Sequence, residues 1–124
     1  GNEGCVIFVK LHQFIKHDTR AVVIDTHKAE WSPQYEPGVD VRSLHHFENE
    51  RVSLVRWAPN TPFREHTHKG GEETFVIQGC VSDEYGDYPA GTWVRYPDAS
   101  SHTPFTRDEG AVLLVKSGHL PASQ

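Results

Sequence analysis

Cysteine is scarce in this chain of 124 residues: Cys5 and Cys80 are the only two. They are too few and too far apart for a zinc knuckle or a paired redox motif. A disulfide between them stays open, and free thiols in a reducing cytoplasm are the plainer reading. No apolar run approaches the length of a membrane span, and no signal-peptide pattern opens the chain, so a cytoplasmic location is expected by default. No run of lysine or arginine exists and the formal net charge is −5. Nucleic acid and anionic membrane are therefore excluded as expected partners. The first residue is Gly1 rather than methionine, which reads as a trimmed end.

What the chain does contain is punctuation. Eight prolines and ten glycines are spread along it, and three Trp, four Tyr and six Phe supply large side chains for one core. That pattern favours a single all-β domain over a helical bundle. Residues 6–9 (Val-Ile-Phe-Val) and 21–24 (Ala-Val-Val-Ile) are strand candidates, with a helical turn expected near residues 11–16. Residues 31–38 carry two prolines and a Pro-Gly pair and form a loop. Strands are expected at 39–47, 52–57, 72–77, 92–96 and 111–116, the last apolar enough to be buried on both faces. Turns are expected at 83–91 and 106–110. About eight short strands separated by turn signals make an antiparallel barrel or jelly roll. Residues 1–30 form an arm with the first strands, residues 31–117 the barrel, and residues 118–124 a tail expected to fray.

Chemistry concentrates in residues 66–79, HTHKGGEETFVIQG. In an extended segment His66 and His68 share a face, because strand side chains alternate. Lys69, Gly70 and Gly71 are turn chemistry. The chain then returns as a strand and folds a carboxylate, Glu72 or Glu73, back beside the two imidazoles. Two imidazoles and a carboxylate suit a divalent metal. His102, on the next hairpin, is the best further ligand. The remaining histidines, His12, His17, His27 and His119, read as surface or capping residues, and at most one of the adjacent His45 and His46 can face a pocket.

These residues resemble the first cupin motif, in which a glycine, a His-x-His pair, a glutamate and a second glycine follow at set intervals. His66, His68, Glu72 and Gly79 fall in place, and the interval from Glu72 to Gly79 favours Glu72 over Glu73. Asn60 stands where the leading glycine would be. Gly91, Pro97 and His102 match the second motif, with Ala99 replacing its second glycine and Thr106 in place of the trailing asparagine. The blocks Trp31-x-Pro33, Pro37-Gly38-Val39, Gly70-Gly71-Glu72-Glu73, Asp83-Glu84-x-Gly86-Asp87-Tyr88-Pro89-Ala90-Gly91-Thr92 and Ser100-Ser101-His102 are similar to the cupin domain at the C-terminus of ChrR-type anti-sigma factors.

The resemblance implies a cupin jelly-roll β-barrel (a double-stranded β-helix) that holds one divalent metal ion on His66, His68, Glu72 and His102. Zinc occupies the ChrR type, while iron, manganese or nickel fill similar sites elsewhere among cupins. The helical sigma-binding domain of that family has no counterpart in these residues, so no sigma factor is expected as a partner. Three imidazoles and one carboxylate leave coordination positions open for water or a small oxygen-bearing substrate. Arg56, Arg95, Trp93 and Tyr96, on strands beside the ligands, are candidate substrate contacts, the arginines as clamps for a carboxylate or enolate. Two functions remain open. One is a metalloenzyme of the dioxygenase type; the other is a non-catalytic sensor or ligand-binding module. A homodimer is expected, with the apolar N-terminal arm supplying an exchanged strand.

Overall fold

The computed structural model describes residues 2–33 and 36–122. Nine strands and no helix occur among them: β1 (Ser32–Pro33), β2 (Val39–Phe47), β3 (Glu50–Trp57), β4 (His66–Thr67), β5 (Glu72–Asp83), β6 (Gly86–Pro89), β7 (Trp93–Tyr96), β8 (Ser101–His102) and β9 (Phe105–Ser117). They form an antiparallel seven-stranded sheet in the order β1-β2-β3-β9-β5-β6, with β7 also paired to β5, and a small second sheet of β4 with β8. This is the all-β jelly roll expected. The interior is lined by Val39, Trp57, Val76, Val81, Ala111 and Leu113, with Phe63, Tyr88 and Val115 packed against them.

Local departures from expectation have identifiable causes. Residues 6–9 and 21–24, rich in strand formers, pair with nothing; the arm up to residue 31 contains only turns and bends. Propensity alone does not make a strand without a partner edge. The region expected to turn at 106–110 lies inside β9, and the connection at 83–91 contains β6. β5 runs on past Gly79 to Asp83, with register shifts between Val76 and Gln78 and between Gly79 and Val81. The first, with its extra residue on β5, moves the inward face of that strand from Glu72, Thr74 and Val76 to Val81 and Asp83; the second puts its extra residues on β9.

The stretch at 66–79 is not a simple hairpin. His66 and Thr67 pair across to His102 and Ser101, whereas Glu72 opens a strand of the larger sheet. The Gly70-Gly71 turn between them is imposed twice over. Both residues have positive φ, at 78° and 70°. A Cβ on Gly70 would also lie 2.7 Å from the Gly118 Cα. The segment after β9, whose composition suggests fraying, is bonded here: Gly118 N–H donates to the Gly71 carbonyl (3.1 Å) and Leu120 N–H to the Gly70 carbonyl (2.8 Å).

The two motif positions that lack glycine keep a glycine-like backbone. Asn60 has φ 51° and Ala99 φ 67°. Asparagine tolerates this left-handed region through local hydrogen bonding, and alanine occupies it at a cost.

Candidate metal centre

His66 and His102 are direct cross-strand partners of β4 and β8, so their side chains leave the same face side by side. His68 follows two positions after His66 and projects to the same side. Its backbone is clamped by the facing loop: His68 N–H donates to the Ser100 carbonyl (2.9 Å), and its carbonyl accepts from Ala99 N–H and Gly71 N–H (3.0 Å each). The three rings cluster with centroids 4.6, 4.6 and 4.7 Å apart. One ring nitrogen from each lies within 4.8 Å of the others.

The hydrogen bonds assign the tautomers. His66 Nδ1 lies 3.2 Å from the Arg64 carbonyl, and His102 Nδ1 lies 3.1 Å from Asp83 Oδ2. Both Nδ1 atoms therefore carry protons, and both Nε2 atoms carry lone pairs. Those lone pairs face each other across 3.1 Å. His68 Nδ1 lies 3.0 Å from Glu72 Oε2, and His68 Nε2 is buried with no partner. Three basic nitrogens turned toward one point, one of them an orphaned buried acceptor, are unfavourable without a cation and suited to one. The donor set fits a divalent metal ion.

Electrostatics keep this arrangement ready. Burial foremost, then the nearby His68 and His102, holds the His66 pKa below its ordinary value, against the opposing bond to the Arg64 carbonyl. Burial pushes the Glu72 carboxyl up, but hydrogen bonds from His68 and Thr74 outweigh it, and Glu72 stays below the usual range. Glu72 is thus ionised beside the three rings. It is not among the converging donors: its oxygens serve His68 and the Thr74 hydroxyl (2.9 Å).

Behind His102 stands a buried carboxylate to which the motifs assign no role. Asp83, 1% exposed at its side chain, meets His102 through Oδ2. It also accepts from the Tyr96 hydroxyl (3.0 Å), the Tyr88 hydroxyl (2.8 Å) and the Tyr85 N–H (2.8 Å). Burial raises its pKa, and these donors more than reverse the effect. Burial and this carboxylate together push the Tyr88 pKa up to about 12, and that of Tyr96 higher still. Both phenols therefore remain protonated donors. A carboxylate fixing the tautomer of a metal-binding histidine is a recurrent device.

Of the four candidate substrate contacts, only Tyr96 lines the inner pocket, with its ring 4.4 Å from that of His102. Arg56 points out of the barrel, paired with Asp40 (2.8 Å) and stacked on Trp31 at 4.4 Å. Arg95 is exposed, and Trp93, about half exposed, lines the opposite face of the sheet. The inner pocket, about 170 Å³, is walled by Trp57, Phe63, Leu113 and other apolar groups, and no lysine or arginine lines it. Arg56 and Arg95, the expected clamps, thus lie on the face of the sheet opposite the inner pocket.

The fold and this centre define a cupin. The family model of the ChrR cupin-like domain matches residues 19–121, and the chain belongs to that family. No curated protein sequence matches. Among solved structures, the chain is similar to the anti-sigma factor ChrR in its complex with SigE from Rhodobacter sphaeroides (TM-score 0.67, 23% identity, covering 75% of this chain and 51% of that one). It thus spans about half the length of that ChrR chain. It is also similar to an RmlC-like cupin from Ralstonia eutropha JMP134 (0.70, 18%, 79% and 68%). An acetylacetone dioxygenase from Acinetobacter johnsonii has the same fold (0.64, 15%, 93% and 79%).

Proposed function

We propose that His66, His68 and His102 hold one divalent metal ion, zinc by family resemblance, with Glu72 as the carboxylate that braces His68 beside it, and that the centre acts on a small molecule entering the inner pocket. The carrying observation is the orphaned His68 Nε2 beside two Nε2 lone pairs 3.1 Å apart. A bound ion supplies Lewis acidity or, if redox-active, oxygen chemistry. The chain's own residues do the rest. Asp83 holds His102 in one tautomer, Glu72 holds His68, and the apolar wall excludes water. With no cation on that wall, the substrate class is a small, uncharged, mostly hydrocarbon molecule with oxygen donors, which supports a dioxygenase-type metalloenzyme.

The test is elemental analysis of protein purified without added metal, followed by activity screening on uncharged oxygen-bearing compounds with zinc, iron or manganese loaded. About one metal equivalent per chain is expected. No metal above background, in the wild type and after reconstitution, would overturn the reading. Stoichiometric zinc with no turnover would favour the second reading, a metal-dependent ligand-binding or sensor module. Similarity to ChrR supports that alternative, although the sigma-binding role is not transferred.

The arm supports two further proposals. Val6, Ile7, Leu11 and Val23 turn apolar side chains to solvent, which favours association of two chains into a homodimer through this segment. A monomeric mass by light scattering at micromolar concentration would count against it. Free Cys5 and Cys80 support a cytoplasmic location. No helix among the described residues is long and apolar enough to cross a membrane.

A further inference from the structure

A second cavity of about 380 Å³ lies on the outer face of the sheet, beneath the N-terminal arm. We propose that it is a binding site for an amphipathic carboxylate, whose hydrocarbon body lies between arm and sheet and whose head meets Arg20. The site is separate from the metal centre and does not depend on its function.

Strand alternation builds the two cavities back to back. On β5, Glu72 and Thr74 face the inner pocket, whereas Glu73 and Phe75 face the outer one. On β9, Leu113 and Val115 face inward, and Leu114 and Lys116 outward. The arm supplies the roof in the same alternating way: Val22 and Ile24 line the cavity, while Val23 between them is 98% exposed. At water's share of about 30 Å³, this volume takes a ligand of about a dozen heavy atoms.

The roof is not woven into the sheet. Among the described residues no backbone hydrogen bond joins the arm to a strand. Side chains hold it instead: Phe8 on Phe75 (ring centroids 5.0 Å), Lys10 with Glu73, Gln13 with Lys116, and Asp18 with His45 at 2.7 Å. An apolar void closed only by side-chain contacts can admit a ligand without breaking a ladder.

Charge selects the head group. Of the three acids bordering the cavity, Glu73 is matched by Lys10 and Glu50 by Lys116, while Asp18 holds His45 through Oδ2 and keeps a buried Oδ1 without a partner. Arg20, exposed at the rim, enters no ion pair or hydrogen bond among the described residues. A free guanidinium beside an apolar cavity recognises a carboxylate with two parallel hydrogen bonds.

The experiment is a calorimetric or amide-NMR titration of the full chain with octanoate, octanol and butyrate. Saturable 1:1 binding of octanoate is expected, with octanol roughly tenfold weaker because it lacks the charge, and no binding of butyrate. Arg20→Gln should reduce octanoate to the octanol level and leave octanol unchanged. Phe14→Ala, at an exposed roof position, should weaken both several-fold without affecting the fold, and Leu114→Trp should abolish both by filling the void. His66→Ala should change neither. Absence of saturable octanoate binding overturns the proposal, as does loss of binding in His66→Ala or indifference to Arg20→Gln. A dimer dissociated by Leu114→Trp, with no octanoate bound, would assign the cavity to a second copy's arm and equally overturn it.

Discussion

His66 Nε2 and His102 Nε2 face each other across 3.1 Å while both Nδ1 protons are committed elsewhere, to the Arg64 carbonyl and to Asp83. Two lone pairs in that position repel, and a cation converts the repulsion into ligation. Saturating metal should therefore stabilise the fold by about 2.7 kcal/mol at one hundred times its Kd. The increment should vanish with a chelator and in His66→Ala or His102→Ala. Thermal melts with and without metal check this, and an unchanged midpoint in the wild type would count against the site.

Asp83 acts on the metal through His102. Asp83→Asn keeps the shape but removes the charge that fixes the His102 tautomer. Metal affinity should fall about 10–100-fold while all three histidines remain. Competition with a chromophoric chelator measures it. An unaltered affinity would reduce Asp83 to a structural anchor for Tyr88 and Tyr96.

Ala99 sits at φ 67°, where an L-residue is strained. Ala99→Gly should stabilise the protein by about 1 kcal/mol, the relieved strain less the greater freedom of glycine in the unfolded chain. Urea unfolding would reveal the shift in midpoint.

Gly70 is the reverse case. Gly70→Ala forces an alanine to φ 78° and drives its Cβ to within 2.7 Å of the Gly118 Cα. A loss of about 2–4 kcal/mol is expected, with reduced metal affinity because the same turn positions Glu72 after His68. A urea midpoint equal to wild type would show that the tail simply moves away.

His119, expected at the surface, has a side chain only 6% exposed and lies 3.2 Å from Glu73 Oε1 without the alignment of a hydrogen bond. Burial foremost holds its pKa below the ordinary value of 6.5, although Glu73 opposes the shift. The unfolded chain therefore takes up a proton near 6.5 that the folded chain refuses until lower pH, so stability falls as pH drops through that window. His66 adds to the same window. Glu73 and Asp83, whose pKa values are lowered, add a further loss as pH falls below the ordinary carboxylate range. In chelated protein, His119→Gln should flatten the upper part of the profile of urea midpoint against pH, leaving in place the share of the acid limb that Asp83 contributes.

Composition and spacing were sufficient for the all-β class, for β2 at its observed bounds, and for His66 and His68 on one face, while His102 joined them through its resemblance to the second cupin motif. Those features are local or periodic: turn residues break the chain into strands, and alternation puts the two histidines of a His-x-His pair on one face. The same alternation separates Tyr96 from Arg95 and Trp93 on β7, and Arg56 from Val55 and Trp57 on β3. Period-2 alternation puts each arginine on the face opposite these neighbours, and the folding of the sheet decides which of the two faces looks into the pocket.

Other features became legible only in three dimensions. Asp83 reaches His102 because the extra residue of β5 between Val76 and Gln78 moves the inward face from even to odd positions, and a bulge leaves no fixed period in the sequence. The arm, rich in strand formers, pairs with no edge, since pairing depends on a partner's position rather than on propensity. The amino-acid sequence on its own determined which residue types could hold a metal and where the strands at 39–47, 52–57, 72–77, 92–96 and 111–116 have their cores. Tertiary structure decided which carboxylate braces which imidazole and which cations are turned outward, because those outcomes depend on strand register and on contacts between residues far apart in the chain.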